Sequence, residues 1–351
     1  MLAWPREGQA AVEVEGIGSF GITGNHHPVP IASVAKVMTA YLTLREHPLA
    51  AGENGFALTI TRKDVEEEEE RVALDESTIP VRVGERLSER QALEALLLPS
   101  ANNIAALLAI HDAGGIGAFV SRMNSTARKL GMTSTTYSDP SGFNARTVST
   151  ARDQLKLARV AMREPAFAAT VARPSARLPV AGRVPNYNGL VGTDGWVGIK
   201  TGSDGAAGGC LVFARRVNVG GRWVEMLGVV LGQRKGALVE AALASAQRLG
   251  RSAAAALRVK TVLPAHTTVL RASSADGRHT VAATARALRG IGWGGLLVPL
   301  RVASRPPMSG LRRGERLATV AVGGRNPLTT NAVALGSVGA PSLGWRLLNL
   351  F

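Results

Sequence analysis

The stretch Ile31-Ala-Ser-Val-Ala-Lys-Val-Met-Thr-Ala-Tyr-Leu-Thr-Leu-Arg-Glu46 constrains this chain more than any other. Its apolar residues recur at helical spacing. Pro28 and Pro30 stand just ahead of it, where they can precede a helix but not sit inside one. The neighbours of Lys36 are Ile31, Ala32, Val34, Ala35, Val37 and Met38. Lysine is almost never fully buried without a partner, so a fold that buries this helix must give the amine a role. Ser33 lies three residues earlier, on the same helical face and roughly 5–6 Å away between Cβ atoms. A serine hydroxyl becomes a competent nucleophile when a neighbour takes its proton. Lys36 can take it if burial or a second cation suppresses its own charge.

Two further polar groups break out of apolar surroundings. Ser100-Ala101-Asn102 follows Leu96-Leu97-Leu98-Pro99 at the end of a strongly apolar helical stretch. Its hydroxyl and amide suit either the wall of a site or the caps of a helix break. Lys200-Thr201-Gly202 lies in the strand-like run Val197 to Ser203, where lysine and threonine together can bind a carboxylate and glycine lets another chain approach. Each triplet alone is weak. Together, in the order Ser-x-x-Lys, Ser-x-Asn, Lys-Thr-Gly, they match the signature set of penicillin-binding proteins and class A β-lactamases.

The resemblance extends over residues 5–250. PIASVAKVMTAYLTL, LLLPSANNIAALLA, MTSTTYSDPSGF, STARD, PNYNGLVG and GIKTG resemble the low-molecular-weight D-Ala-D-Ala carboxypeptidases of peptidase family S11. The forms SANN and KTGS…AAGGCLVF are most similar to secreted actinobacterial members. The resemblance implies an α+β fold of the serine β-lactamase/DD-peptidase type, an antiparallel sheet with helices plus an α lobe. It implies Ser33 as acylated nucleophile, Lys36 as general base and Ser100 as proton relay. It also implies Asn102 as substrate-backbone contact, and Lys200, Thr201 and Gly202 as the carboxylate-binding strand. The backbone N–H groups of Ser33 and Ser203 would form the oxyanion hole. The substrate would be a peptidoglycan stem peptide ending in D-Ala-D-Ala, lying antiparallel to the Lys-Thr-Gly strand. β-Lactam antibiotics would acylate the same serine, and no cofactor or metal is required. One departure is Ser203-Asp204-Gly205 where the family usually carries a threonine; Asp204 puts a carboxylate near a carboxylate site. Asp139-Pro140-Ser141-Gly142-Phe143 and Asn186-Tyr187-Asn188 match the family and read as scaffold.

Alternatives remain open within this reading: a DD-endopeptidase, a penicillin-binding protein without turnover, or a class A-like β-lactamase. The last would need a Glu-x-x-Leu-Asn loop, and the one glutamate between Ser100 and Lys200 is Glu164, in Glu-Pro-Ala-Phe-Ala.

The 351 residues allow one large domain and one small one. The organisation reads as residues 1–257 and 258–351, the second a small all-β domain of short Val- and Leu-rich segments at 267–271, 279–284, 295–303, 316–322 and 332–338. A hairpin is expected over 10–22 around Gly16. Helices are expected over 31–46, over 88–111 with a break at Pro99, over 116–130, from Ser149 or Thr150 to Arg163, and over 236–257; strands are expected at 208–215 and 222–231. The run Glu66 to Glu70 reads as a solvated helix face.

The net charge is +15, carried by arginine with only seven lysines. The arginines are scattered and few aromatics interleave with them, so nucleic acid is not an expected partner. No run of about 18 apolar residues is present, hence no transmembrane helix is expected. The N-terminal MLAWPREGQA does not read as a signal peptide. An extracytoplasmic location is nevertheless expected from the substrate, with upstream residues in the natural precursor. Cys210 is the single cysteine and reads as a buried, inert thiol. His111, His266 and His279 read as isolated, His26-His27 as surface loop, and Trp293 and Trp345 as packing residues.

Overall fold

The computed structural model describes residues 2–50, 52–274, 277–304, 310–324 and 327–340; Trp345 lies outside them. The chain divides into two compact units, one formed by residues 1–15, 19–218 and 223–255, the other by 16–18, 219–222 and 256–351.

In chain order the elements of the first part are β1 (Gln9–Val14), β2 (Gly18–Thr23), a short β3 (Val29–Pro30), a 3-10 turn (Ala32–Ala35), α1 (Lys36–Glu46), β4 (Ala57–Thr59), α2 (Arg62–Ala73) and β5 (Arg86–Ser88). They are followed by α3 (Glu89–Leu97), α4 (Asn102–Ala113), α5 (Ile116–Lys129), β6 (Val148–Ser149), α6 (Ala151–Ala161), α7 (Pro165–Val171), β7 (Ser175–Leu178), β8 (Gly182–Pro185), β9 (Trp196–Asp204), β10 (Gly208–Val219), β11 (Arg222–Gln233) and α8 (Leu238–Ala256). Five strands form one sheet in the order β2-β1-β11-β10-β9. Every residue of β1 is buried, because helices cover both faces of the sheet and leave no solvated side to alternate towards. The close packing of α8 uses Gly209, where an added Cβ would lie 1.8 Å from the Leu238 carbonyl oxygen. β9 is an edge strand, with β10 as its one neighbour in the sheet.

Local chemistry explains the helix ends. Thr61 and Asp64 form a reciprocal capping box at α2, and Ser88 and Gln91 do the same at α3. The Thr150 hydroxyl accepts from the Asp153 N–H at the start of α6. α2 carries the glutamate run and buries none of its residues. The helix expected to begin at Ile31 instead opens as a 3-10 turn and becomes α-helical at Lys36.

The second unit is built from β12 (Arg258–Leu263), β13 (Thr268–Ser273), β14 (His279–Thr284), β15 (Leu288–Gly292), β16 (Leu300–Ser304), β17 (Arg316–Val322) and β18 (Leu328–Ala334). The sheet order is β13-β14-β18-β17-β16, beside a two-stranded β12-β15 pair. Its core includes Leu263, Ala282, Leu288, Leu317, Val320, Val322 and Ala332. Three sequence expectations need correction. The strand expected at 295–303 begins at Leu300, after Pro299, which cannot donate to a ladder. The strand expected at 332–338 runs from Leu328 through the polar Thr-Thr-Asn. β12 and β15 were not expected at all, since β12 is largely exposed and β15 carries two glycines.

Among the described residues no single helix is long and apolar enough to cross a membrane.

Candidate active site

The site assembles at the start of α1. Its centre is the Lys36 amine, fully buried. Nζ lies 2.8 Å from Ser33 Oγ, 2.5 Å from Asn102 Oδ1 and 3.1 Å from the Ser141 carbonyl oxygen. Burial drives its pKa well below the ordinary lysine value, and the charge of Lys200 pushes the same way, while Asp139 and Glu76 oppose them.

Those three contacts fix the position of the amine. A neutral amine has two N–H donors and one lone pair. The Ser141 carbonyl can only accept. Asn102 presents its Oδ1 because its Nδ2 donates to Glu76 Oε2 at 2.6 Å, which also sets the amide's orientation. Lys36 therefore donates to both of these acceptors. Lys36 Nζ also stands within hydrogen-bond distance of Ser33 Oγ, so that once it has lost its proton the amine can accept the proton of that hydroxyl.

The partners of Lys36 are themselves held. Glu76 pairs with Arg71 at 3.2 Å. Asp139 Oδ2 accepts from the N–H groups of Ser141, Gly142 and Phe143 and from the Ser141 hydroxyl, and Oδ1 accepts from Thr147. This carboxylate folds residues 139–147 into a fixed loop that aims the Ser141 carbonyl at Lys36. Thr39 Oγ1 on α1 donates to the Pro140 carbonyl at 2.6 Å and pins the same loop. Gly142 sits at φ +83°, and a Cβ there would lie 1.8 Å from the Ala32 carbonyl oxygen. The Asp-Pro-Ser-Gly-Phe segment thus buttresses the backbone just before Ser33. Arg71, Glu76, Asp139 and Ser141 were not singled out as site residues in the sequence.

Two non-glycine residues bordering the motifs have positive φ: Ala32 at 45° and Ser100 at 69°. Such conformations cost about 1–3 kcal/mol each and cluster at functional sites. Ser100 is buried at the break between α3 and α4, and its hydroxyl has no hydrogen-bond partner among the described residues. Neither Ser100 nor Asn102 caps α4; the N-cap is Ala101, without a side-chain bond.

β9 forms the opposite wall. A Cβ added to Gly202 would lie 2.9 Å from Val34 N and 3.0 Å from both Ser33 N and Ile31 O. Only glycine lets this strand approach the Ser33 backbone so closely. Lys200 and Thr201 are buried, and Ser203 is exposed. Desolvation lowers the Lys200 pKa to about 7. Asp204 turns away into the β9–β10 turn, where Oδ1 accepts from Ala207 N at 2.6 Å. Arg234 donates to the carbonyls of Gly205 and Ala206 in the same turn.

A family model for D-alanyl-D-alanine carboxypeptidases matches residues 22–234. The chain belongs to the S11 peptidase family. It is 33% identical over 219 residues to the D-alanyl-D-alanine endopeptidase of Escherichia coli, covering 56% of this chain and 63% of that protein. The chain thus spans less than two thirds of the length of the curated relatives it matches first. The crystal structure of the Streptomyces K15 DD-transpeptidase superposes with a TM-score of 0.61 at 26% identity, covering 70% of this chain and 96% of that one. Penicillin-binding protein 5 of Haemophilus influenzae shares the fold over 94% of this chain and 97% of its own, with a TM-score of 0.66 at 19% identity. The α+β fold is therefore that of the S11 DD-peptidases.

For this S11 peptidase the buried Lys200 has a thermodynamic consequence. Its folded pKa of about 7 lies below the ordinary 10.5. Between those values the unfolded chain holds a proton that the folded chain lacks, so this group makes stability rise with pH. Lys200→Met is expected to raise unfolding free energy at pH 7 by on the order of 4 kcal/mol and to flatten the rise between pH 7 and 9.5. Urea melts at the two pH values check it; an unchanged slope would contradict the assignment.

Elsewhere, Cys210 is fully buried, with its thiol pushed up to about 12 by desolvation. His111 is not isolated as its sequence context suggests; it meets His47 and Asp112.

Proposed function

We propose that this chain is a serine DD-peptidase that removes the terminal D-Ala from peptidoglycan stem peptides through an acyl-enzyme on Ser33. The observation that carries the reading is a fully buried amine, held by Asn102 and the Ser141 carbonyl 2.8 Å from Ser33 Oγ, whose pKa burial drives well below the ordinary lysine value. Ser33 Oγ gives its proton to Lys36 and attacks the carbonyl of the penultimate D-Ala. The resulting oxyanion is held by the N–H groups of Ser33 and Ser203, worth a few kcal/mol at the transition state. Ser100, with its unpartnered buried hydroxyl, relays the proton to the departing amine. Water then releases the shortened peptide.

The substrate lies along the free edge of β9 as an added strand. Its terminal carboxylate binds Lys200 and Thr201, and in binding it restores the charge that burial suppresses on Lys200. Gly202 provides the clearance between strand and nucleophile. Asn102 holds the substrate backbone with its amide as well as orienting Lys36. β-Lactams present a carboxylate and a strained acyl group to the same residues. Because peptidoglycan lies outside the cytoplasm, the protein acts there.

The test is D-Ala release from a diacyl-D-Ala-D-Ala peptide. Release that depends on Ser33 supports the reading; stable acylation by penicillin with no D-Ala release would reduce the chain to a non-turnover binder. A second reading, cross-link cleavage, is favoured by the similarity to an endopeptidase. Hydrolysis of a cross-linked muropeptide dimer in preference to the pentapeptide monomer would select it.

A further inference from the structure

A second cluster of chemically capable side chains stands at the far ends of the same two helices. His47 is the C-terminal cap of α1, and His111 and Asp112 lie in the last turn of α4. Asp112 Oδ1 is 3.4 Å from His47 Nε2 and 3.0 Å from His111 Nδ1. The Asp112 side chain is 1% exposed, whereas the two imidazoles are about one third exposed, at 35% and 32%.

A buried carboxylate needs a counter-charge. Among the described residues, those two imidazoles are the only ion-pair partners of Asp112. Arg122 is nearby, but it donates to the Asp112 backbone carbonyl and pairs its guanidinium with Glu46 at 2.8 Å.

We propose that His47, His111 and Asp112 form a binding site for a divalent transition-metal cation, with Zn2+ the best match. The chemistry fits, since two imidazole nitrogens and one carboxylate oxygen are a common protein set for zinc, with water in the fourth position. The geometry fits as well. Donors about 2.0–2.1 Å from a tetrahedral zinc stand about 3.3 Å apart, close to the two separations at Asp112 Oδ1. All three donor atoms lie within 4.8 Å of one another.

The surroundings hold the ligands in place, as supporting groups do in metal sites. Thr43 Oγ1 donates to Asp112 Oδ2 at 2.6 Å, which turns Oδ1 towards the imidazoles. Phe56 stacks on His111 at 4.1 Å between centroids and meets His47 edge-on at 4.9 Å. The exposed imidazole edges leave an entry route and room for the water.

The site is remote from the chemistry. Eleven residues of helix separate Lys36 from His47, about 16 Å at 1.5 Å per residue. α1 opens with Lys36 and ends at His47; α4 opens with Asn102 and carries His111 and Asp112 in its last turn. A cation here ties together the distal ends of the two helices whose first turns supply the proton acceptor and its amide partner. Its role is to stabilise the lobe, with no part in bond cleavage.

The test is titration of the whole chain with ZnCl2, after chelator treatment and dialysis. Calorimetry and elemental analysis should show one zinc per chain and a thermal midpoint raised by several degrees. His47→Ala and His111→Gln should each weaken zinc binding at least tenfold and remove the thermal shift, while the His26→Ala/His27→Ala double variant keeps both. A route that needs no variant is protection of His47 and His111 from diethylpyrocarbonate by Zn2+, read by peptide mass spectrometry. Absence of zinc uptake by the parent chain would overturn the proposal. So would uptake and thermal shift undiminished in both single variants, or zinc leaving both histidines as reactive as before.

Discussion

Replacing Lys36 with arginine is expected to stop acylation by penicillin about as completely as replacing it with methionine, with rate losses of about 10²–10⁴. The two substitutions separate two roles that a lysine beside a serine could play. If the amine served only as a fixed positive charge, arginine would supply it. If it serves as the base, arginine fails, because a guanidinium is not deprotonated in proteins. Burial and the neighbouring Lys200 hold Lys36 low, so the neutral form is available for proton transfer. The sign of the pH dependence follows: the acylation rate falls as pH drops through the Lys36 value, since a protonated amine cannot accept the proton of Ser33. In carboxylate-bearing substrates a second, high-pH limb is expected as Lys200 loses its charge above about 7, moderated because the bound carboxylate raises that value. Stopped-flow labelling of the two variants checks the first point. Acylation by the arginine variant within tenfold of the parent would show that charge, not basicity, is what Lys36 provides.

The second large effect is expected at Gly202. Valine there would place a Cβ 2.9–3.0 Å from three backbone atoms of the Ile31–Val34 turn. Backbone cannot rotate aside as a flexible side chain can, so β9 must move away from Ser33. Displacement of about 1 Å between reacting groups costs on the order of 10²-fold in rate. Gly202→Val is thus expected to lower the acylation rate about 100-fold while the far-ultraviolet spectrum stays that of the parent. A folded Gly202→Val protein that acylates at the parent rate would show that the close approach of β9 to the serine turn is not needed.

Much of this was legible in the sequence because the key relations are short-range. Ser33 and Lys36 share a face by helical spacing alone. The apolar neighbours of Lys36 announce its burial, and the structure buries it completely. Gly202 within Lys-Thr-Gly signals close approach, and an added Cβ there meets backbone. What could not be read depends on distant partners. The third contact of Lys36 is a backbone carbonyl, that of Ser141, 105 residues away; a carbonyl leaves no letter in the sequence. Asp139 was visible only as part of a scaffold segment, although its carboxylate orders the loop that delivers this carbonyl. The concern over Asp204 also needed coordinates, because its direction is set by an N–H of its own turn. His111 looked solitary because its partner His47 lies 64 positions earlier, on another helix. In the second unit, β12 hides because its residues are mostly exposed, so no apolar alternation marks it.

The most direct measurement is to mix the purified protein with a labelled penicillin and locate the adduct by peptide mass spectrometry. A single stable adduct on Ser33, absent from Ser33→Ala and strongly slowed in Lys36→Arg, is the predicted result. A folded protein that takes no label, or takes it equally with Ser33 replaced, would contradict the assignment of Ser33 as the nucleophile activated by Lys36.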